Sequence, residues 1–185
     1  MRLFRHNQLR RLRGFTITEV IVVVGVLTLL LSVGVGYTQR GGKQIVLFRE
    51  HSQLTQQILR ARSFATQKLR PEQETICGYG VAILSNAEYA LFKDLPSGGA
   101  CPGNAAMGAG EQLEKFAFDP AVNIFEYNHT DFVFLPRDGF VYFPENGVAK
   151  RAEPSQDPAY ITLELEGSGQ RLTVNVNYIG QVYTE

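Results

Sequence analysis

The side chains that most often do chemistry are few in this chain and stand far apart. The three histidines, His6, His51 and His129, occur singly, and no His-x-x-x-His pair supplies two ligands from one helix face. Two cysteines without a histidine cluster offer a metal ion too few ligands. The sequence therefore predicts no metal centre, and no cofactor is expected.

Motifs for nucleotide binding and for hydrolysis are also missing. Neither a Gly-x-x-x-x-Gly-Lys-Ser/Thr loop nor a strand-linked Gly-x-Gly-x-x-Gly occurs. Gly167-Ser168-Gly169 is better explained as a hairpin turn than as part of a nucleophile elbow. Glu164 and Glu166 alternate onto one face of a strand, where a solvated position explains them. We expect no enzymatic activity.

Cys77 and Cys101 are the two cysteines of the chain. A disulfide between them would close a loop of about 25 residues and stabilise the fold by about 3 kcal/mol. Such a bond forms if this part of the chain lies on the oxidising side of a membrane. The alternative is two reduced, buried thiols.

Glu19 stands at the entry of an uncharged apolar run, Val20 to Tyr37, in which twelve of 18 residues are Val, Ile or Leu. Before it, residues 1–14 carry five arginines and no acid. A run of this length is about what a helix needs to cross a bilayer, and the basic arm would stay in the cytoplasm. A carboxylate at membrane depth is a candidate functional group.

The order of a basic leader, Gly14-Phe15-Thr16-x-x-Glu19 and an aliphatic run resembles the type IV prepilin family, including the pseudopilins of type II secretion. The resemblance implies that a prepilin peptidase cuts after Gly14 and methylates the new amino terminus of Phe15. It also implies that Glu19 of one subunit pairs with the Phe15 ammonium of a neighbour during filament assembly. Each residue also has a plain explanation: a flexible joint, an interfacial aromatic, and a carboxylate favoured at a helix N-terminus.

A second helical half is expected after Gly41-Gly42, where we expect a bend or a frayed point. Apolar and small side chains recur there at helical spacing, namely Leu47, His51, Leu54, Ile58, Ala61, Ala65 and Leu69. Pro71 is expected to end the helix. The predicted organisation is a leader over residues 1–14, a transmembrane helical half over 15–39, an extracytoplasmic half over 40–70 and a head over 71–185.

The head carries short segments rich in Val, Ile, Phe and Tyr, separated by turn residues. The predicted strands are Thr75 to Leu84, Tyr89 to Lys93, Asn123 to Asn128, Phe132 to Leu135, Phe140 to Phe143, Ile161 to Leu165, Arg171 to Tyr178 and Gln181 to Tyr183. The glycine-rich stretch from Pro96 to Gly110 is expected to be a surface loop that Cys101 pins to the first strand. The predicted fold class is α+β: a long N-terminal membrane-spanning helix packed on a single antiparallel β-rich head, pilin-like.

Parts of the chain resemble the GspH/FimT-type minor pilins. They are Ala61-Arg62-Ser63-Phe64-Ala65, the turn from Phe143 to Gly147, which is one residue longer than in that family, and Gly180-Gln181-Val182. Some DNA-binding members carry basic residues in the last strand, whereas this chain has Gln181 and Glu185. Without the leader the net charge is −5, which does not attract nucleic acid. Nucleic acid is not expected as a partner.

The expected function is that of a minor pilin or pseudopilin, a structural subunit assembled by helix bundling. The resemblance implies these partners: prepilin peptidase, other pilin or pseudopilin subunits, an inner-membrane assembly platform and membrane lipid. The expected location is the inner membrane as a single-pass precursor with its head outside, and then the filament. A type IV pilus, a type II secretion pseudopilus and a DNA-uptake pilus all stay open.

The alternative is an exported or membrane-anchored β-rich envelope protein with a conventional signal and an unknown binding role. Its signal peptidase would cut after the apolar run, near Ser32-Val33-Gly34 or Gly34-Val35-Gly36, a poor match to Ala-x-Ala.

Overall fold

The structure, a computed structural model, describes residues 15–67, 76–96, 99, 101, 103–136, 139–155 and 157–185; the side chains of 33–41 are not among them. The basic leader with Gly14, the residues Leu69 and Pro71, and part of the loop from Pro96 to Gly110 lie outside the described residues. The chain divides into two compact units, with the boundary between Gly41 and Gly42.

Among the described residues the chain forms one α-helix, α1, from Ile17 to Thr66. Helical hydrogen bonding continues through Gly41 and Gly42. Apolar positions that recur every three or four residues after Val46 explain this second half, as the sequence predicts.

The predicted membrane span is wrong. Within the described part of the chain, no helix has the length and apolar character that crossing a membrane requires. A bilayer needs about 20 consecutive apolar residues in one helix. The fold class is therefore corrected: the N-terminal helix is present, but it is not a membrane-spanning element. Two predictions that depend on the span are therefore also wrong. They are the location as a single-pass inner-membrane precursor and the description of the chain as a single-pass membrane pilin.

The rest of the described chain is β-rich and antiparallel, as the sequence predicts. It contains the strands β1 (Gly78–Ser85), β2 (Glu88–Asp94), β3 (Gln112–Ala117), β4 (Val122–Tyr127), β5 (Asp131–Phe134), β6 (Val141–Glu145), β7 (Val148–Arg151), β8 (Ala159–Leu165), β9 (Arg171–Val176) and β10 (Val182–Thr184). They form two sheets, a six-stranded one in the order β3-β2-β1-β5-β6-β7 and a four-stranded one in the order β10-β9-β8-β4.

Tight turns connect neighbouring strands where the sequence has turn residues. Asn146 and Gly147 both have positive φ, 53° and 78°, and join the paired residues Glu145 and Val148. A two-residue hairpin of this kind needs positive φ at both central positions, which Asn-Gly supplies. The predicted Asn146-Gly147 turn is therefore confirmed.

The main core lies where the second half of α1 meets both sheets. The predicted stripe of the helix is buried, with Leu54 1 %, Ile58 0 % and Ala61 0 % exposed. These side chains pack with inward residues of the six-stranded sheet, such as Phe132, and of the four-stranded sheet, such as Leu163. The alternation along each strand thus places one face of each sheet in this core.

A second, smaller core lies on the other face of the six-stranded sheet. Phe92 and Val133 are fully buried there with Ala82 and Ala105. Ala105 belongs to the segment from Leu95 to Glu111, called the strap below. The strap therefore covers sheet surface that solvent would otherwise reach.

Candidate functional site

The residues around the predicted processing point form the start of α1. Thr16 Oγ1 accepts a hydrogen bond from the backbone N–H of Glu19 at 3.3 Å, and the Thr16 carbonyl accepts from Glu19 and Val20 at 3.1 and 3.3 Å. Thr16 is thus the N-cap, and Glu19 is the third helical residue, the spacing of a capping box. A carboxylate in the first turn also interacts favourably with the helix dipole.

The capping geometry bears on the role predicted for Glu19. Within the subunit, the Glu19 carboxylate already interacts favourably with the positive end of the helix dipole. Phe15, the predicted partner residue in a neighbouring subunit, is 82 % exposed. The pairing of Glu19 with the Phe15 amino terminus of a neighbour therefore stays a prediction.

The first turns of α1 expose a dense apolar surface. Twelve large apolar side chains between Phe15 and Leu31, called the apolar segment below, are each at least half exposed. Their positions cover every side of the helix, because they include the consecutive runs Val20 to Val24 and Leu29 to Leu31. Soluble monomers rarely expose contiguous apolar patches of more than a few hundred Å². Such a surface indicates an apolar partner.

Gly25 lies inside the apolar segment. A Cβ built at Gly25 meets no atom within 4 Å. No packing within the subunit therefore requires a glycine, although glycine weakens a helix by about 1 kcal/mol relative to alanine.

The second half of α1 is joined to the head by ion pairs. Glu50, only 4 % exposed, accepts from Arg49 at 2.7 Å, and Arg49 also reaches Asp119 at 3.3 Å. Arg60 binds Glu114 through two parallel hydrogen bonds of 2.8 and 2.7 Å. The Arg49–Asp119 and Arg60–Glu114 pairs connect the helix to residues of or next to the sheets. The bidentate geometry of the Arg60–Glu114 pair also fixes the orientation of the two side chains.

The strap is fastened at several points. The predicted disulfide between Cys77 and Cys101 is present, with an S–S distance of 2.04 Å. Asp94, fully buried, accepts the backbone N–H groups of Gly103 at 3.0 Å and Ala105 at 3.2 Å. A Cβ on Gly103 would lie 2.3 Å from the Leu95 carbonyl oxygen. The strap follows this path because position 103 is a glycine.

Two more carboxylates hold the far end of the strap. Glu111 accepts the N–H groups of Leu95, at 2.9 Å, and of Gly108. Asp131 accepts the N–H of Met107 at 3.3 Å. Sequence reasoning missed these roles for Asp94, Glu111 and Asp131. The sequence did contain a signal for two of these roles. Asp94 and Glu111 stand at the two ends of a glycine-rich stretch whose backbone N–H groups need acceptors because they have no strand partners.

Burial raises the pKa of the Asp94 and Asp131 carboxyl groups. In Asp94 the effect of burial is opposed by hydrogen bonds from the Gly103 and Ala105 backbone. In Asp131 it is opposed by hydrogen bonds from Thr130 and the Met107 backbone. In both carboxyl groups the effect of burial on the pKa exceeds that of the hydrogen bonds, because a charged carboxylate loses its hydration when it is buried.

The two described histidines lie in different parts of the fold, and His51 Nε2 is buried without a hydrogen-bond partner among the described residues. His51 is on the buried stripe of α1, and burial lowers its pKa while a hydrogen bond with the Thr173 backbone opposes this. His129 stacks on Phe143 with the ring centroids 3.8 Å apart, and burial lowers its pKa as well. In the described part of the chain, no three His, Cys, Asp or Glu side chains come together as metal ligands.

Comparison with known proteins identifies no relative: no protein-family model, curated protein or solved structure matches this chain. The resemblance to type IV prepilins, read from Gly14, Phe15, Glu19 and the run that follows, therefore stays a prediction.

Proposed function

We propose that this protein is a structural subunit of the pilin or pseudopilin kind, which assembles into a filament by packing the apolar segments of neighbouring copies together. The observation that supports this most is the exposure of the apolar segment on every side of α1. The folded head, by contrast, encloses its own core between the second half of the helix and two sheets.

The energetics favour association of several helices. Fully burying one Val, Leu or Ile side chain is worth about 1.5–3 kcal/mol, and these side chains are already up to half covered by their own helix. Twelve of them together still offer on the order of 10 kcal/mol. Association costs roughly 4–15 kcal/mol in lost freedom, so contacts on more than one side of the helix are needed.

The prepilin resemblance adds the processing step to this proposal. A peptidase that removes residues 1–14 would leave Phe15 as a new, positively charged amino terminus. The Glu19 carboxylate of a neighbouring copy would then match this charge, because a buried carboxylate needs a partner. The partners in this proposal are the prepilin peptidase and further pilin or pseudopilin subunits.

Sedimentation and electron microscopy test the proposal. The processed wild-type chain is expected to form fibres, and the double variant Val23→Asp/Leu30→Asp is expected to stay monomeric. Val148→Asp is the matched control, since Val148 is 64 % exposed on β7 of the head. A double variant that forms fibres as readily as the control would contradict the proposal.

Mass spectrometry of the native amino terminus gives an independent test. A methylated Phe15 is expected. A start near Val35 or Tyr37 would instead support an exported protein with a conventional signal peptide.

A further inference from the structure

The outer face of the four-stranded sheet carries a row of three side chains that nothing above explains. On β9, Val174 and Val176 point into the main core, so Asn175 points to the opposite side. The strand register pairs Asn175 with Tyr183 on β10 and with Tyr160 on β8. Tyr183, Asn175 and Tyr160 therefore lie side by side on the outer face, and they are called the tyrosine row below.

Asn175 is the residue in this row that lacks a partner. It is only 5 % exposed, and among the described residues its Nδ2 group has no hydrogen-bond acceptor. A buried amide donor without an acceptor is costly, so an acceptor from outside the subunit would be favourable there. Strands are about 4.8 Å apart, which places the two phenol rings on either side of the amide.

The polar groups next to the row are already paired with one another. Tyr160 Oη donates to Glu126 Oε1 at 2.9 Å, and the hydroxyls of Thr162 and Thr173 are 3.0 Å apart. The Asn175 amide, in contrast, is a buried donor without an acceptor among the described residues. Tyr183 is 40 % exposed on the edge strand, so a rotation of its side chain would open a path from solvent to the Asn175 amide.

The charges of this face argue against nucleic acid. Arg171 is 3.4 Å from a Glu164 oxygen, and its guanidinium lies over the Phe125 ring, 3.4 Å from the centroid. Glu126 also lies on this face, so the carboxylates of the face outnumber the one cation, Arg171. Single-stranded nucleic acid needs aromatic rings in a positively charged groove, which this face does not supply.

The chemistry of the row fits a neutral sugar chain. A tyrosine offers an apolar ring face and a polar hydroxyl, and a pyranose has an apolar C–H face with a rim of hydroxyl groups. We propose that the tyrosine row binds a neutral polysaccharide, with sugar rings stacked on Tyr183 and Tyr160. An oxygen between these rings accepts the hydrogen bond of Asn175 Nδ2. This role is separate from the assembly proposed above and does not depend on it.

Surface plasmon resonance on the immobilised full chain tests this site, with cellohexaose, chitohexaose and maltoheptaose as probes. Saturable binding of at least one probe is expected. Tyr183→Ala and Asn175→Leu are each expected to weaken it at least tenfold. Tyr127→Ala is the matched control, since Tyr127 is similarly exposed but pairs with the core residue Ile161, on the inner side of the sheet.

Several results would overturn the proposal. One is the absence of binding to all three sugars, and another is Tyr183→Ala binding like the wild type. Tighter binding of an oligothymidylate than of any sugar would also overturn it. So would a concentration-dependent dimer of the wild type that Tyr183→Ala abolishes. Tyr183 lies on an edge strand and is partly exposed, so its variant is expected to fold, and a thermal melt within a few degrees of the wild type checks this.

Discussion

Thr16 Oγ1 accepts the backbone N–H of Glu19 at 3.3 Å, which makes this pair the start of the helix that carries the apolar segment. One carboxylate thus serves two proposed purposes, stabilising the first turn of its own helix and matching a positive charge on a neighbour. The two purposes make different demands on the side chain, because a capping box accepts Gln as well as Glu whereas a charge match requires an acid.

Substitutions at Glu19 separate these purposes. We expect both Glu19→Val and Glu19→Gln to reduce incorporation into filaments, because both remove the negative charge. Glu19→Gln keeps the capping geometry and is the control for helix stability, since a first-turn carboxylate contributes only about 0.3–1 kcal/mol. Quantitative microscopy of filaments from mixed subunits measures incorporation. A Gln variant that enters filaments as well as the wild type would show that the charge is dispensable.

Removal of the disulfide is expected to destabilise the head. The double variant Cys77→Ser/Cys101→Ser should lose about 3 kcal/mol of unfolding free energy, because the bond closes a loop with a sequence separation of 24. Urea unfolding followed by circular dichroism measures the loss. Reductant should lower the wild-type midpoint to that of the variant and leave the variant unchanged; an effect of reductant on the variant would contradict the assignment.

Gly103→Ala is expected to cost about 1–3 kcal/mol of stability, because the new Cβ would collide with the Leu95 carbonyl and with both Asp94 carboxylate oxygens. Gly42→Ala is the contrasting variant. Gly42 lies in α1 with no atom within 4 Å of a built Cβ, so this change should stabilise the helix by about 0.5–1 kcal/mol. Thermal unfolding measures the melting temperatures of both variants. Melting temperatures that shift equally and in the same direction would contradict this account of the strap.

The buried Asp94 carboxyl predicts a pH dependence of stability. Its pKa in the folded chain lies above the ordinary 3.8, so the folded state holds more protons than the unfolded state between those two values. The unfolding free energy therefore falls as the pH rises through this window.

Urea midpoints measured from pH 4 to pH 7 test this dependence. The fall attributable to Asp94 is expected to be absent in Asp94→Asn, although this variant is less stable overall because its amide cannot accept both strap N–H groups. The difference between the two pH profiles isolates Asp94 from the other carboxyl groups. Parallel profiles would contradict the prediction.

The sequence predicted those parts of the fold that have a strong period and a buried face. The stripe through Leu54, Ile58 and Ala61 identified the packed half of α1, and alternating segments located most strands. β3 was missed because Glu114 and Lys115 sit in a strand that is exposed on both faces, where no alternation develops. β7 was also missed, because it is only four residues long and ends in the charged residues Lys150 and Arg151.

Other features could not be predicted from local sequence patterns, because they depend on contacts between distant segments of the chain. Alternation shows which residues of a strand face a core, but not which strand lies beside it, so the division into two sheets was not predicted. The span was wrongly inferred from the composition of Val20 to Tyr37. The tyrosine row was also missed, since Tyr160, Asn175 and Tyr183 become neighbours only through the pairing of three strands.

The covalent link between Cys77 and Cys101 has a consequence for proteolysis. A protease that cleaves the chain beside Gly99, an exposed turn residue, would cut between the two cysteines. The fragments would stay bonded, run as one band on a gel without reductant and separate only when it is added. A nick at this position would thus leave the two parts of the head joined by a covalent bond.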